Sequence, residues 1–224
     1  WNEGKFNHVF YKENKDGATG IDILKGENFD SPQKPFGGDE DYIWSPDGKS
    51  ILYVCKKKAG TQYATSTNTD IYEYNLETQK TTNRTEDNLG YDMAPQFSPT
   101  GNLTWLQMKR DGYEADKNDI IVDFKGLKTN LTANWDGTVD NFIWSKDGKN
   151  VFFVAPVDGT KQLFTVNFPG LTRIAITVRQ LTNGDFDVND LVGFAGDDII
   201  VTRNDMNHAP EIFSFNLKKN TWKQ

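Results

Sequence analysis

Apolar strand-length runs and polar turns follow one another along this chain at a fixed rhythm. Ile51-Leu52-Tyr53-Val54 and Val151-Phe152-Phe153-Val154 each come directly after a turn sequence. A second strand signal sits at an equivalent distance behind every turn: Asp70–Leu76, Asp119–Phe124, Gln162–Asn167 and Glu211–Leu217, with Ile21–Leu24 as the first copy. Each of these leads into a polar turn and a strand ending in Thr85, Thr132 or Thr182. The last unit stops at Trp222-Lys223-Gln224, about two residues before its Thr would fall due. Helix signals are nearly absent.

The turns themselves repeat. Trp44-Ser45-Pro46-Asp47-Gly48-Lys49, Phe97-Ser98-Pro99-Thr100-Gly101-Asn102 and Trp144-Ser145-Lys146-Asp147-Gly148-Lys149 are the strong copies, with weaker ones at Trp1-Asn2-Glu3-Gly4-Lys5 and Phe194-Ala195-Gly196-Asp197-Asp198. The anchoring aromatics stand at 1, 44, 97, 144 and 194. In each copy an aromatic ends one strand and is expected to pack inward. Pro46 and Pro99 preset φ in two copies, and Gly in every copy supplies the positive φ that reverses the chain.

A unit of strand–turn–strand–loop–strand–turn–strand is the four-stranded blade of a β-propeller, whose face only a stacked neighbour can close. The chain is therefore predicted to be all-β, a propeller of about five four-stranded antiparallel blades. The expected blades are 1–35, 36–86, 87–133, 134–183 and 184–224. A large sandwich would not carry one turn motif at this period. The ragged ends predict an open arc of a larger, seven- or eight-bladed ring, with exposed blade faces through which the chain self-associates, as a homodimer for example.

Composition narrows the function. The 224 residues carry a net charge of −7, and the only basic run, Lys56-Lys57-Lys58, reads as a solvated strand end. A nucleic-acid partner is thus not expected. Aromatics at 13% argue against disorder, and no apolar stretch is long enough to span a membrane. Cys55, the single cysteine, lies in an apolar run and reads as a buried small hydrophobe. No metal or other cofactor is expected: His8 and His208 lie far apart, and the acidic group Asp185, Asp187, Asp190, Asp197 and Asp198 forms no calcium loop. Asp41, Asp92, Asp140 and Asp190 recur just before the anchors, where capping of backbone N–H groups at blade corners is the expected role, while His208 beside Pro210 reads as a turn residue.

The Trp-Ser-Pro-Asp-Gly-Lys turn resembles the repeat of TolB-type propellers and of the propeller domain in the prolyl oligopeptidase family of serine peptidases. The segment Met108–Asn118 is similar to the dipeptidyl-peptidase and acylaminoacyl-peptidase branch, bacterial members above all. Trp135-Asp136, Ala155–Thr160 and Thr202–His208 are similar to the same branch, so the resemblance runs from about residue 40 to the C-terminus. It implies a following α/β-hydrolase domain of the same chain, a bacterial periplasmic or otherwise exported location, and a peptide substrate with a free N-terminus. None of the seven serines, Ser31, Ser45, Ser50, Ser66, Ser98, Ser145 and Ser214, stands in a Gly-x-Ser-x-Gly elbow, so these residues alone supply no catalytic nucleophile.

A dipeptidyl peptidase needs an anion for the substrate's α-ammonium. On the resemblance, Glu114 takes that role, Trp135 walls the pocket, and Tyr113 and Arg110 orient the peptide or the Glu. From residue types alone, Asp111-Gly112 is equally an ordinary turn pair, Glu114 a solvated loop residue and Trp135 a core aromatic. The leading reading is the gating and substrate-binding propeller of a serine exopeptidase. Its competitor is a non-enzymatic TolB-like propeller that binds other proteins.

Overall fold

The computed structural model describes residues 4–34 and 37–224. Their contacts divide the chain into two compact units, Trp1–Phe97 with Leu103–Asp116, and Ser98–Asn102 with Lys117–Gln224.

The first unit opens with a two-stranded antiparallel sheet, β1 (Phe10–Tyr11) and β2 (Ile21–Asp22). A single 3-10 turn, Asp39–Asp41, leads into a four-stranded antiparallel sheet, β3 (Tyr42–Trp44), β4 (Ser50–Cys55), β5 (Asp70–Asn75) and β6 (Thr81–Asn83), in that spatial order. The third repeat contributes the hairpin β7 (Asp92–Phe97) and β8 (Leu103–Gln107) to this unit. Its hairpin β9 (Asp119–Phe124) and β10 (Leu127–Asn130) belongs to the second unit. Two further four-stranded antiparallel sheets complete that unit. They are β11 (Asn141–Trp144), β12 (Asn150–Val157), β13 (Thr160–Asn167) and β14 (Val178–Gln180), then β15 (Asp187–Ala195), β16 (Asp198–Asp205), β17 (His208–Asn216) and β18 (Thr221–Lys223). Strands consecutive in sequence are neighbours in space, as in a propeller blade.

Cores lie between successive sheets. Val9, Ile23 and Leu24 pack with Ile51, Tyr53, Cys55, Tyr72 and Tyr74, joining the first two sheets. Phe152, Val154 and Leu163 pack with Val188, Ile199, Val201 and Phe215, joining the last two. Cys55 is a free, fully buried thiol, which burial pushes up to about 12.

The repeated turn owes its shape to one hydroxyl. Ser45 Oγ donates to Asp47 Oδ1 at 2.7 Å and accepts from Ser50 N at 2.9 Å; Ser145 repeats both bonds with Asp147 and Asn150 at the same lengths. Gly48 and Gly148 close these turns at φ of 68° and 66°, where a side chain would be strained. Trp44, Phe97 and Trp144 end the first strand of their repeats and Phe194 stands one residue before such an end, as the spacing predicts; Trp1 lies outside the described residues. Inward packing holds for Trp144, which is buried against Phe168, but not for Trp44. Trp44 is 52% exposed and makes a T-shaped contact with Tyr11, because the sheet before it is just two short strands.

The recurring threonines fall two residues past the outer strands, at a staple present in all three repeats. Thr85, Thr132 and Thr182 accept the backbone N–H of Ile71, Ile120 and Leu163 at 3.0, 3.1 and 2.9 Å. Their hydroxyls donate to Asp70, Asp119 and Gln162 at 3.3, 2.6 and 2.8 Å. One hydroxyl thus satisfies a buried backbone donor and engages a side-chain acceptor where β-pairing stops.

The pre-anchor aspartates do more varied work than capping. Asp41 accepts Gln33 N, and Asp140 pairs with Lys161 at 2.8 Å. Asp190 accepts Thr202 Oγ1 at 2.7 Å. Asp92 is fully buried and accepts Trp105 Nε1 (2.7 Å), Gln107 Nε2 (2.8 Å) and Asn88 Nδ2 (3.0 Å). Burial outweighs these neutral donors and raises its carboxyl to about 6.

Two outcomes are expected. Thr132→Val keeps the shape but orphans Ile120 N–H, while Asp119 Oδ1 keeps its bond to Lys117, and costs about 1–3 kcal/mol in urea unfolding. For Asp92, a folded-state value above the unfolded one means that the native chain takes up a proton that the unfolded chain does not between about pH 6 and pH 4. Its contribution to stability is complete below that window and is lost as pH rises through it. The difference in unfolding free energy between the parent and Asp92→Asn, followed from pH 7 to pH 4, should shift toward the parent by about 3 kcal/mol or less.

Candidate functional site

Two long connections in the first unit gather the candidate residues. The link from β4 to β5 carries one short helix, α1 (Thr61–Thr65), and the link leaving β8 runs from Met108 to Asp116 before the unit ends. Asp111 docks the second onto the first: its Oδ1 accepts Ser66 Oγ at 2.7 Å and Thr67 N at 2.8 Å. Thr67 Oγ1 returns the contact by accepting Gly112 N at 2.9 Å. The Ser66 hydroxyl, first among these donors, holds the Asp111 carboxyl below the usual carboxylate range.

Arg110 and Tyr113 come together, as one unit within the loop. The guanidinium lies 4.2 Å from the Tyr113 ring centre and grips Asp116 through Nε (3.2 Å) and Nη2 (3.0 Å). Arg110 N also donates to Asp116 Oδ2 at 3.0 Å, so the Asp116 carboxylate closes the loop on itself. Glu114 stands at the exposed tip beside Tyr113 and makes no hydrogen bond or ion pair among the described residues. Its charge is felt by Lys56 and Tyr91.

Lys56 is a residue that sequence reasoning misplaced. Far from being a solvated strand end, it is buried, donates to Ser66 O at 2.7 Å and lies 4.6 Å from the Tyr63 ring centre. Burial lowers its ammonium from the usual lysine range, while Glu114 and Asp111 act in the opposite sense. Lys57 is engaged too, paired with Glu27 at 2.5 Å and set over Tyr72. The loops thus present an exposed carboxylate at Glu114 whose charge reaches the buried ammonium of Lys56.

Trp135 belongs to the second unit. It is half-buried, its ring packed against Phe153 and Phe164 at 5.3 and 5.4 Å between centres. Its remaining surface lines a cavity of about 230 Å³ with Asn134, Ile176, Thr177 and Val178. Trp135 thus packs as a core aromatic on one face and borders this second-unit cavity with the other. A second cavity, of about 350 Å³, is lined by Arg203, Asp205, His208, Glu211 and Phe213. There His208 is the first residue of β17, just past the Met206-Asn207 turn rather than in it, with Nδ1 2.8 Å from Asp205. The acidic group nearby is dispersed among separate partners: Asp187 with Lys161 N, Asp190 with Thr202, Asp197 with Lys218 and Asp198 with Asn216.

No protein-family model matches the sequence. The chain is 37% identical over 216 residues to dipeptidyl-peptidase 5 of Porphyromonas gingivalis, a match that covers 94% of this chain and 31% of that protein. The chain therefore spans under a third of the length of this relative. Among solved structures, puromycin hydrolase superposes with a TM-score of 0.68 at 12% identity, covering 96% of this chain and 34% of that one. TolB from Acinetobacter baumannii gives 0.52 at 18%, covering 92% and 47%. These structural likenesses speak for the fold alone, the propeller. By sequence the chain is related to the dipeptidyl-peptidase 5 proteins, and by fold to the propellers of TolB and of the prolyl oligopeptidase-family peptidases.

Proposed function

We propose that this chain is the N-terminal propeller portion of a serine exopeptidase of dipeptidyl type, exported or periplasmic, which gates access and binds the substrate's N-terminus. The hydrolytic nucleophile is supplied by an α/β-hydrolase domain of the same protein. In this reading the Glu114 carboxylate receives the α-ammonium of the peptide and so measures two residues to the scissile bond. Arg110, held by Asp116 and stacked on Tyr113, sets the loop that carries Glu114. Trp135 offers an aromatic face to the bound peptide.

The observation that carries the reading is Glu114 itself: an exposed carboxylate, uncommitted among the described residues, on a loop fixed at Asp111 and Asp116. The sequence relationship to dipeptidyl-peptidase 5 supports it. Closure on a substrate would strengthen the ammonium–carboxylate attraction by removing water.

The test is kinetic, in the intact protein. Glu114→Ala is expected to lower kcat/KM for free-amine dipeptidyl substrates by about 2 kcal/mol, roughly thirtyfold. That is the low end for truncating a charge partner, because the carboxylate starts out solvated. Cleavage of N-acetylated analogues should be nearly unaffected. An unchanged rate removes Glu114 from the site, and an intact protein that releases no dipeptides favours the TolB-like binding propeller.

A further inference from the structure

Lys117 has a place in the second unit that the proposed function leaves unused. A lysine ammonium has three N–H donors, and here each has an acceptor. They are Asp119 Oδ1 at 2.8 Å, Thr132 O at 2.7 Å and the carbonyl of Trp135. Asp119 and Thr132 are the two halves of the staple in this repeat, joined at 2.6 Å. The lysine therefore ties that rigid staple to the backbone of Trp135. The tie is two-sided, since Trp135 N donates to Thr132 O at 3.0 Å. With its N–H and its C=O both anchored, the tryptophan backbone is fixed on the sheet while the ring rests on Phe153 and Phe164.

The other repeats do without this device. Two residues before the staple acceptor, where this repeat has Lys117, stand Asn68 and Thr160. Thr182 O accepts from Gln180 Nε2 at 2.8 Å instead of from an ammonium. The three stapled repeats close the sheet with the same threonine, so the added cation is not needed for closure. What it adds is local to Trp135. Lys117 keeps part of its side chain in solvent and is neutralised by Asp119, so holding it here carries little desolvation cost.

We infer that Lys117 is a positioning residue, holding the Trp135 indole in the orientation in which it meets the N-terminal part of a bound peptide. The inference rests on the proposed role of Trp135 as a substrate contact. Removing the lysine should free the carbonyl of Trp135 and let the ring leave its seat, without touching the hydrolytic machinery.

The experiment compares Lys117→Met, Trp135→Ala and the double variant in the intact protein, with free-amine dipeptidyl substrates. Lys117→Met is expected to raise KM about fivefold to tenfold and leave kcat within about twofold. Trp135→Ala should do the same or more, and the double variant should be no worse than Trp135→Ala alone, because the two act as one unit. If Trp135→Ala raises KM and Lys117→Met does not, the inference fails while the reading of Trp135 stands. If Trp135→Ala itself is silent, both fall. Additive losses, or a lower melting temperature at unchanged KM, make Lys117 a structural residue only and overturn the inference. Should the methionine variant not fold, Lys117→Arg is read in the same way. It keeps the charge beside Asp119, but its planar donors cannot reach all three acceptors.

Discussion

A propeller sheet has two apolar faces and nothing in its own fifty residues to cover them, so everything else in this molecule answers to that constraint. Neighbouring sheets must meet at a fixed distance and angle, and each strand must end where the next sheet's packing requires. The buried clusters that join sheet to sheet, from Val9 to Tyr74 in the first unit and from Phe152 to Phe215 in the second, supply the attraction. The threonine staple supplies the stop. At Ile71, Ile120 and Leu163 a backbone donor would be buried without a partner, and a single hydroxyl removes that cost each time.

With the sheet ends pinned, the connections between the second and third strands are free to differ. β12 and β13 are joined by Asp158-Gly159, both at positive φ, a two-residue hairpin that extends the strands and carries no chemistry. β4 and β5 are separated by Lys56–Thr69 with its short helix, and the chain beyond β8 makes the loop that Asp111 docks. Long connections are where side chains can be placed independently of the pleat, and the candidate residues of the first unit lie on them.

How much of this was legible depended on whether the signal was local. The turns could be read because Ser, Asp and Gly satisfy one another within five residues, and the threonines because the repeat displays them three times. Lys56 was misread because its burial is a non-local event: α1 and the Asp111 loop fold over the end of β4, and nothing in Lys56-Lys57-Lys58 announces that. Trp44 was misread for the complementary reason. Its motif matches Trp144, but its neighbour is a sheet of two-residue strands that leaves the indole in solvent. Lys117 reads from the sequence as a solvated loop residue, since a lysine beside an aspartate is ordinary and only the fold brings the carbonyls of Thr132 and Trp135 to it. Glu114 and Trp135 were picked out by resemblance, since their residue types alone fit a solvated loop and a core aromatic equally well.

The electrostatics of an acidic chain make the same distinction between structure and function. Most of its carboxylates are spent locally. Asp47 and Asp147 hold turns, Asp111 and Asp116 hold the loop, Asp119 holds a staple and a lysine, and Asp92 is buried among neutral donors. A carboxylate engaged in two or three good hydrogen bonds has little left to offer a ligand, because binding would have to break what it already makes. Glu114 differs from these, since the loop that carries it is anchored by other acids and its own carboxylate is exposed. Under the proposed reading that division is what a specificity element requires. The residues that set its position bear the cost of ordering the loop before the peptide arrives, and the residue that meets the ammonium loses only hydration.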